Sequence, residues 1–345
     1  MAISTEKGLL CIGGCDAERC HDDVFRLQWL PAERELKLQR LPNLPRPLAF
    51  MAGAMVDDVV YLMGGQEKMG GDPTNNFWSL DLSKPAAELA WEELPPWSGP
   101  PRILPLAASQ SNGENDCLYL FSGRNPHSEK ATEMLTDAYK FDPSDKTWSP
   151  LADISTGDGQ PRCIMAGTCA PIGVAHILVF GGADGQRFLE VEKLNARIAE
   201  LDRSGEDSNE TNSTELAELK TQHLRFHEQH TGFSQDILAY HVVTDSWTKV
   251  GEAEIPFPVT TQAVAWDGGI VIPTGETSPG VRTAKVLLGE PERSEGFGPL
   301  DYAAVAVYLA FLIFIGIRLA GKEKTPEATK YRRFPLACRP AAGTK

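Results

Sequence analysis

The sequence predicts an all-β fold: a β-propeller of small stacked sheets, interrupted once by helices and followed by one membrane-spanning helix. Three observations predict it. A short apolar run closed by glycine recurs as LLCIGG (Leu9–Gly14), VVYLMGG (Val59–Gly65), CLYLFSG (Cys117–Gly123), ILVFGG (Ile177–Gly182) and IVIPTGE (Ile270–Glu276). Each run leads through a polar loop into an alternating strand: DDVFRL at Asp22–Leu27, NNFWSLDL at Asn75–Leu82, TDAYKFD at Thr136–Asp142, DILAYHV at Asp236–Val242. A tryptophan strand then follows at Trp91, Trp148 and Trp247. Alternation with turn signals means about four half-buried strands per unit. No unit of that size buries its own face, so neighbouring sheets must stack radially.

Taken in order, the chain opens on Met1–Lys7 and runs straight into the first apolar strand, with no signal-peptide core. LKLQRL (Leu36–Leu41) is the candidate outer strand of this unit. The steps between glycine pairs are 51, 58 and 59 residues, then 93. The long step holds residues 187–231, where strand alternation gives way to Leu, Ala, Glu and Lys at helical spacing. This predicts two helices, 187–202 and 213–229, around a polar tip. The fifth unit ends at Gly289. Counting strands at both ends, the ring is expected to hold about five of six blades, as expected of a chain that has lost an N-terminal segment.

Residues 290–299 read as an acidic Gly/Pro linker. Tyr302–Ile317 is an uninterrupted run of sixteen apolar residues. Extended to residues 300–320, it is about long enough as a helix to cross a bilayer core. The tail from Arg318 carries eight Lys or Arg and two Glu, so residues 321–345 read as a basic cytoplasmic tail. Positive charge inside places the propeller on the periplasmic side of an inner membrane, with lipid as one partner.

The net charge of −14 argues against a nucleic-acid partner, whose phosphates require a basic surface. Seven cysteines without a regular spacing fit buried strand positions better than a disulfide framework. Cys11, Cys15 and Cys20-His21 have the wrong spacing for a zinc knuckle. His223, His227 and His230 share one helical face at i, i+4 and i+7, yet nothing nearby orients them for a metal. Asn209-Glu-Thr and Asn212-Ser-Thr match glycosylation sequons, a short motif that recurs by chance.

One repeat breaks the pattern. Where the others have Gly-Gly or Ser-Gly, the fifth has Gly275-Glu276, so a carboxylate replaces the second glycine at a loop on the propeller face. The Pro279-Gly280 turn then brings Arg282 back towards it. A carboxylate can accept a proton and a guanidinium can grip an anion, but a structural ion pair holding the loop is equally compatible with the spacing. Arg46, Arg102 and Arg162 recur before the apolar strands as LPRPLAF, PPRILPLA and QPRCIMAG. Their shared repeat position suggests a ring of cations around the axis, or a structural Pro-Arg consensus. Arg124 and Asn125, after the third glycine pair, are further binding candidates.

The paired glycine, the aromatic before the next strand and the tryptophan beyond the following turn resemble the kelch repeat over residues 8–289. GETSPGVRT, the helical insertion, FSQDILAYHVVTDSW (Phe233–Trp247) and SGRNPHSEKATEMLTDAYKFDPSDKTW (Ser122–Trp148) resemble the bacterial N-acetylneuraminate epimerase (sialic acid mutarotase) family. The order of blades looks cyclically permuted. The resemblance implies interconversion of sialic acid anomers without metal or cofactor. It assigns Glu276 as proton acceptor and Arg282 as its partner. LDYAAVAVYLAFLIFIGIR is similar to the first helix of sodium:solute symporters, which typically opens with an Asp-Tyr pair, here Asp301-Tyr302. The expectation is therefore a sugar-acid-binding propeller tethered to symporter helices. The alternatives are a non-catalytic propeller that captures substrate or protein, and an inactive fragment.

Overall fold

The computed structural model describes residues 1–127, 130–203, 210–290 and 298–320, with the side chains of 210–213, 227 and 320 outside the description. It divides into two units, Met1–Glu290 and Pro291–Lys345. The first unit is a propeller of five sheets. Sheet one holds β1 (Ala2–Thr5), β2 (Gly8–Ile12), β3 (Val24–Leu30) and β4 (Glu35–Arg40). Sheet two holds β5 (Ala52–Val56), β6 (Val59–Met63), β7 (Phe77–Asp81) and β8 (Trp91–Glu93). The third is β9 (Leu106–Ser111), β10 (Asp116–Phe121), β13 (Ala138–Asp142) and β14 (Thr147–Pro150), with a short ladder of β11 (Arg124–Asn125) and β12 (Glu133–Met134) inserted. The fourth is β15 (Thr168–Ile172), β16 (His176–Phe180), β17 (Asp236–His241) and β18 (Ser246–Glu252). Three strands make the fifth: β19 (Val264–Trp266), β20 (Gly269–Ser278) and β21 (Val281–Gly289).

Each sheet is a meander of antiparallel neighbours, and β1, β5, β9 and β15 meet one another as the innermost strands. A chain of backbone hydrogen bonds joins successive blades there. Leu104 donates to Phe50 O at 2.8 Å, Ala166 to Leu104 O at 2.9 Å and Thr260 to Ala166 O at 2.9 Å. All four residues sit at positive φ between 55° and 59°, so the same turn repeats at the same station.

Burial follows the strand alternation. One apolar cluster fills each seam between neighbouring sheets: Leu10, Ile12, Val60 and Trp78 in the first, Phe77, Trp97, Leu118 and Phe141 in the second. Tyr119, Phe121, Ile177 and Tyr240 fill the third, and Phe180, Phe257, Ile270 and Ile272 the fourth. Each such side chain removed from water contributes about 1.5–3 kcal/mol. The recurring tryptophans have a second duty. Trp91 Nε1 donates to Pro42 O at 3.0 Å, Trp148 Nε1 to Pro95 O at 3.1 Å and Trp247 Nε1 to Ala152 O at 3.2 Å. Each therefore packs its ring against a seam, Trp247 buried and the other two partly so, and ties its outer strand to the loop leaving the previous blade. Among the described residues no buried cluster joins the fifth sheet to the first. Trp29, Leu36 and Leu38 of sheet one are exposed, as are Trp266, Val286 and Leu288 of sheet five.

The insertion forms α1 (Gln186–Arg203) and α2 (Glu210–Glu228). Arg187 Nη2 reaches Phe226 O and Gln229 O, each at 3.3 Å, and Arg197 bonds Glu215 at 2.9 Å, holding the two helices as a hairpin. Because α2 ends at Glu228, His230 is not on the helix as the i, i+4, i+7 pattern had it. Its Nδ1 accepts from Gly232 N at 3.0 Å and its ring meets Phe233 edge-on. Asn209 lies outside the described residues, as does the side chain of Asn212.

In the second unit the described part is α3 (Pro299–Ala320), entered by Gly298 N donating to Asp301 Oδ2 at 2.8 Å. Pro299–Leu319 is long and apolar enough to cross a membrane. The expected basic tail, 321–345, lies outside the described residues, as do 291–297 of the linker.

Candidate functional site

The mouth of the propeller is set by the glycine pairs. The second member of each has φ near or above 90°: Gly14 at 108°, Gly65 at 100°, Gly123 at 109°, Gly182 at 91° and Gly275 at 112°. A Cβ on Gly182 would stand 2.5 Å from Ile164 O, and on Gly275 2.9 Å from Val259 O, so the backbones meet too closely for a side chain. This corrects the register of the fifth repeat. Thr274, at φ 48°, stands in the first-glycine place, Gly275 is the second glycine, and Glu276 follows the pair. The residues after each pair make isolated bridges with the segment beside the axial turns: Ala49 with Gln66, Ile103 with Arg124, Met165 with Ala183, and Val259 with Glu276. Gln66, Arg124, Ala183 and Glu276 thus occupy one station around the mouth, beside the Phe50–Leu104–Ala166–Thr260 hydrogen-bond chain. A guanidinium and a carboxylate share that rim, separated by the small Ala183.

Glu276 and Arg282 face each other in the β20–β21 register. They lie in a hairpin rather than an open loop, since both strands run up to the Pro279-Gly280 turn. Glu276 Oε1 accepts from Gly280 N at 2.8 Å, closing that turn, and Arg282 is exposed. No ion pair joins them among the described residues. A cleft of about 390 Å3 opens beside the hairpin, lined by Thr231, Thr277, Ser278 and Thr283 with His230 and Lys285, and on its apolar side by Ile255, Pro256 and Leu287.

The three recurrent arginines occupy equivalent places, and each reaches an acceptor at the entry to the third strand of its own blade: Asn76 before β7, Asp137 before β13 and Asp236 at the start of β17. Arg46 Nη2 donates to Asn76 Oδ1 at 3.1 Å and its Nε lies 3.2 Å from Glu67, but its side chain is 47% exposed. Arg102 is wholly buried. It donates from Nη1 and Nη2 to the two Asp137 carboxylate oxygens at 2.8 Å each, from Nη1 to Ser122 O at 2.9 Å and from Nε to Pro100 O at 3.3 Å. The rings of Trp97 and Tyr139 lie over it at 5.2 and 5.4 Å. Arg162 pairs with Asp236 and with Ser234 Oγ at 2.9 Å. The geometry of Arg102 and Arg162 is that of a clasp within each blade, with the guanidinium already satisfied.

Asp236 illustrates the energetics. Burial raises its pKa, but hydrogen bonds from Lys249, at 2.6 Å, and from Arg162 outweigh that and hold it below the usual carboxylate range. A depressed carboxylate contributes stability that is present above its unfolded value of about 4 and is lost as pH falls through the folded value. Asp236→Asn is expected to lower stability at pH 7, with the gap to the parent protein shrinking as pH falls below about 4. Denaturant titrations at the two pH values measure it. An equal gap at both would mean that the charge does not matter.

Arg124 is different. It is half-buried, its Nε is sealed without an acceptor, and among the described residues no hydrogen bond or ion pair engages its guanidinium. Phe188, in the first turn of α1, covers one face at 4.1 Å from the ring centre. Burial pushes its pKa down, partly countered by Glu192 and Cys163, yet an arginine stays charged at neutral pH. Around it, Asn125 Nδ2 donates to Glu133 Oε2 at 3.3 Å and His127 Nε2 lies 3.8 Å from the same oxygen. Glu192 of α1 is occupied by Thr132, whose backbone N donates at 3.1 Å and whose Oγ1 donates at 2.5 Å. The helical insertion is therefore docked over the third blade's mouth loop. Phe188, Glu192, His127 and Glu133 were not legible as site residues. The only sequence signal was that the insertion begins four residues past a glycine pair.

Among the described residues no group of three His, Cys, Asp or Glu is arranged to hold a metal. The chemistry the rim offers is a cation with no hydrogen-bond acceptor among the described residues, a carboxylate and amides.

The family profile described as N-acetylneuraminate epimerase matches residues 41–295, which takes in the second to fifth sheets and the whole rim from Gln66 to Glu276. The chain belongs to the N-acetylneuraminate epimerase family. It is 28% identical over 254 residues to N-acetylneuraminate epimerase of Haemophilus influenzae, covering 73% of this chain and 60% of that protein. To the enzyme of Pasteurella multocida it is 27% identical over 252 residues, covering 72% and 58%. The chain thus spans about 60% of the length of the curated relatives it matches. A solved structure titled "Structure of YjhT" superposes with a TM-score of 0.52 at 22% identity, covering 74% of this chain and 68% of that one, and shows the same fold. In this epimerase-family chain, the resemblance-assigned pair Glu276–Arg282 and the unpartnered Arg124 belong to the same matched segment.

Proposed function

We propose that the rim binds an acidic sugar of the N-acetylneuraminate type and speeds the interconversion of its anomers. The observation that carries this reading is Arg124, a half-buried guanidinium at the mouth without an acceptor of its own. A sugar carboxylate supplies two oxygens in the fork geometry that guanidinium prefers, and offsets its burial. Asn125 and His127 flank it with polar edges suited to hydroxyl and amide groups. Glu276 stands on the same rim as proton acceptor. It takes the proton of the anomeric hydroxyl as the bond from the anomeric carbon to the ring oxygen breaks. The ring oxygen takes a proton from solvent water as it leaves, and the chain rotates about the adjacent carbon–carbon bond. On closure at the other face that hydroxyl gives its proton back to solvent while Glu276 returns its own to the carbonyl oxygen, which forms the second anomer.

Capture without catalysis is the second reading, because Glu276 spends one oxygen on the Gly280 N–H. We also propose that α3 anchors the propeller in a membrane with the propeller outside, ahead of symporter helices. Its apolar length and the Asp301-Tyr302 opening support this. A cyclic permutation of the blades is likewise a reading supported by sequence resemblance.

NMR of freshly released α-N-acetylneuraminate, with and without the protein, tests catalysis, and calorimetry tests capture. Arg124→Ala is expected to weaken binding about 10–100-fold, the loss of one charge-assisted contact of roughly 1.5–3 kcal/mol. Arg124→Lys should restore only part of it, since an ammonium cannot form the fork. Unchanged affinity in Arg124→Ala would remove this residue from the site. Binding without acceleration would leave the capture reading standing.

A further inference from the structure

The first blade carries a feature that sugar binding does not use. Cys15 follows the Gly13-Gly14 pair, which is the station held by Arg124 and Glu276 in blades three and five. The chain then reverses through Asp16–Arg19 and returns at Cys20. Cys15 and Cys20 are direct antiparallel bridge partners. The hydrogen bonds around them decide the type of pair: His21 N donates to Gly14 O at 2.8 Å, and Asp16 N donates to Arg19 O at 3.0 Å. Both bonds flank the cysteines and neither joins them, so this is the non-hydrogen-bonded kind. Its Cα atoms approach to about 4.5 Å with both side chains on one face, inside the range a disulfide spans.

The turn between them is held rigid. Asp16 Oδ1 accepts from Glu18 N at 2.8 Å and Arg19 N at 2.9 Å, while Asp16 Oδ2 bonds His21 Nε2 at 2.8 Å. The two thiols are therefore kept adjacent by groups other than themselves. Their access differs: Cys15 is exposed and Cys20 is 5% exposed, and both are free thiols here.

We propose that Cys15 and Cys20 are a modification site, forming a reversible disulfide across the rim turn of the first blade. The oxidant is a small or protein disulfide, such as oxidised glutathione. The Cys15 thiolate attacks one of its sulfurs, forming a mixed disulfide and releasing one thiol, which takes the Cys15 proton. The Cys20 sulfur then attacks Cys15, forming the new S–S bond and expelling the second thiol with the Cys20 proton. Two thiols of the protein are oxidised and one disulfide is reduced to two thiols. The order of attack follows exposure, since only Cys15 is open to the incoming disulfide.

The test treats the full chain with oxidised glutathione, alkylates remaining thiols and maps peptides without reduction. The expected result is a peptide linking Cys15 to Cys20, abolished by dithiothreitol, with no stable glutathione adduct. Cys20→Ser should instead trap glutathione on Cys15, because the resolving thiol is gone. A Cys15–Cys11 link, a lasting glutathione adduct on Cys15 in the parent protein, or full alkylation of both cysteines would each overturn the assignment.

Discussion

Glu276→Gln is expected to slow anomer interconversion by about 100- to 10,000-fold while leaving sugar affinity within a few-fold of the parent. That is a barrier increase of roughly 3–5 kcal/mol at about 1.4 kcal/mol per tenfold. Glutamine keeps the volume and can still accept the Gly280 N–H bond that closes the hairpin, so the fold should not suffer. What it loses is the capacity to take a proton. The expected signature is a fall in kcat with little change in KM, opposite to the binding loss expected of Arg124→Ala. The comparison is read by following the anomeric signals by NMR at saturating sugar. A rate equal to that of the parent protein would show that Glu276 is only the cap of its own turn.

Arg102→Met should destabilise the propeller by about 3–5 kcal/mol, because it strands a partly buried carboxylate that has no other cation among the described residues. Asp137 is 25% exposed and receives two of the arginine's hydrogen bonds, while Ser122 O and Pro100 O lose their donor as well. At this chain length each kcal/mol moves the melting point by about 2–4 °C, so a drop of roughly 6–20 °C is expected. Arg46→Met at the equivalent station serves as the control. Its side chain is 47% exposed and its ion pairs are screened, so a change of about 1 kcal/mol or less is expected. Thermal unfolding followed by tryptophan fluorescence reads both, since Trp97 lies against Arg102. Equal melting points for the two variants would contradict the clasp.

The repeat was legible because its signals are local. Strand alternation has a period of two, and a residue after an apolar run must be glycine where φ is about 100° and a neighbouring carbonyl crowds it. The tryptophan strands and the helical insertion announced themselves in the same way. The register of the fifth repeat was harder. IVIPTGE admits either Thr274-Gly275 or Gly275-Glu276 as the glycine pair, and only the backbone torsions decide for the first. The step of 93 residues already counted to Gly275, so the spacing held the answer that the residue types obscured.

What the sequence determined by itself was the propeller, its seams and the stations where side chains would stand around its mouth. Which of those side chains are spoken for was decided by tertiary structure. Arg46, Arg102 and Arg162 look alike in sequence, yet their acceptors Asn76, Asp137 and Asp236 lie 30, 35 and 74 positions away. Arg124 is left over for an equally distant reason. The insertion that follows the fourth blade's glycine pair sets Phe188 on its face and gives it no acceptor. A guanidinium's role depends on the acceptor it finds, and folding rather than spacing brings that acceptor near.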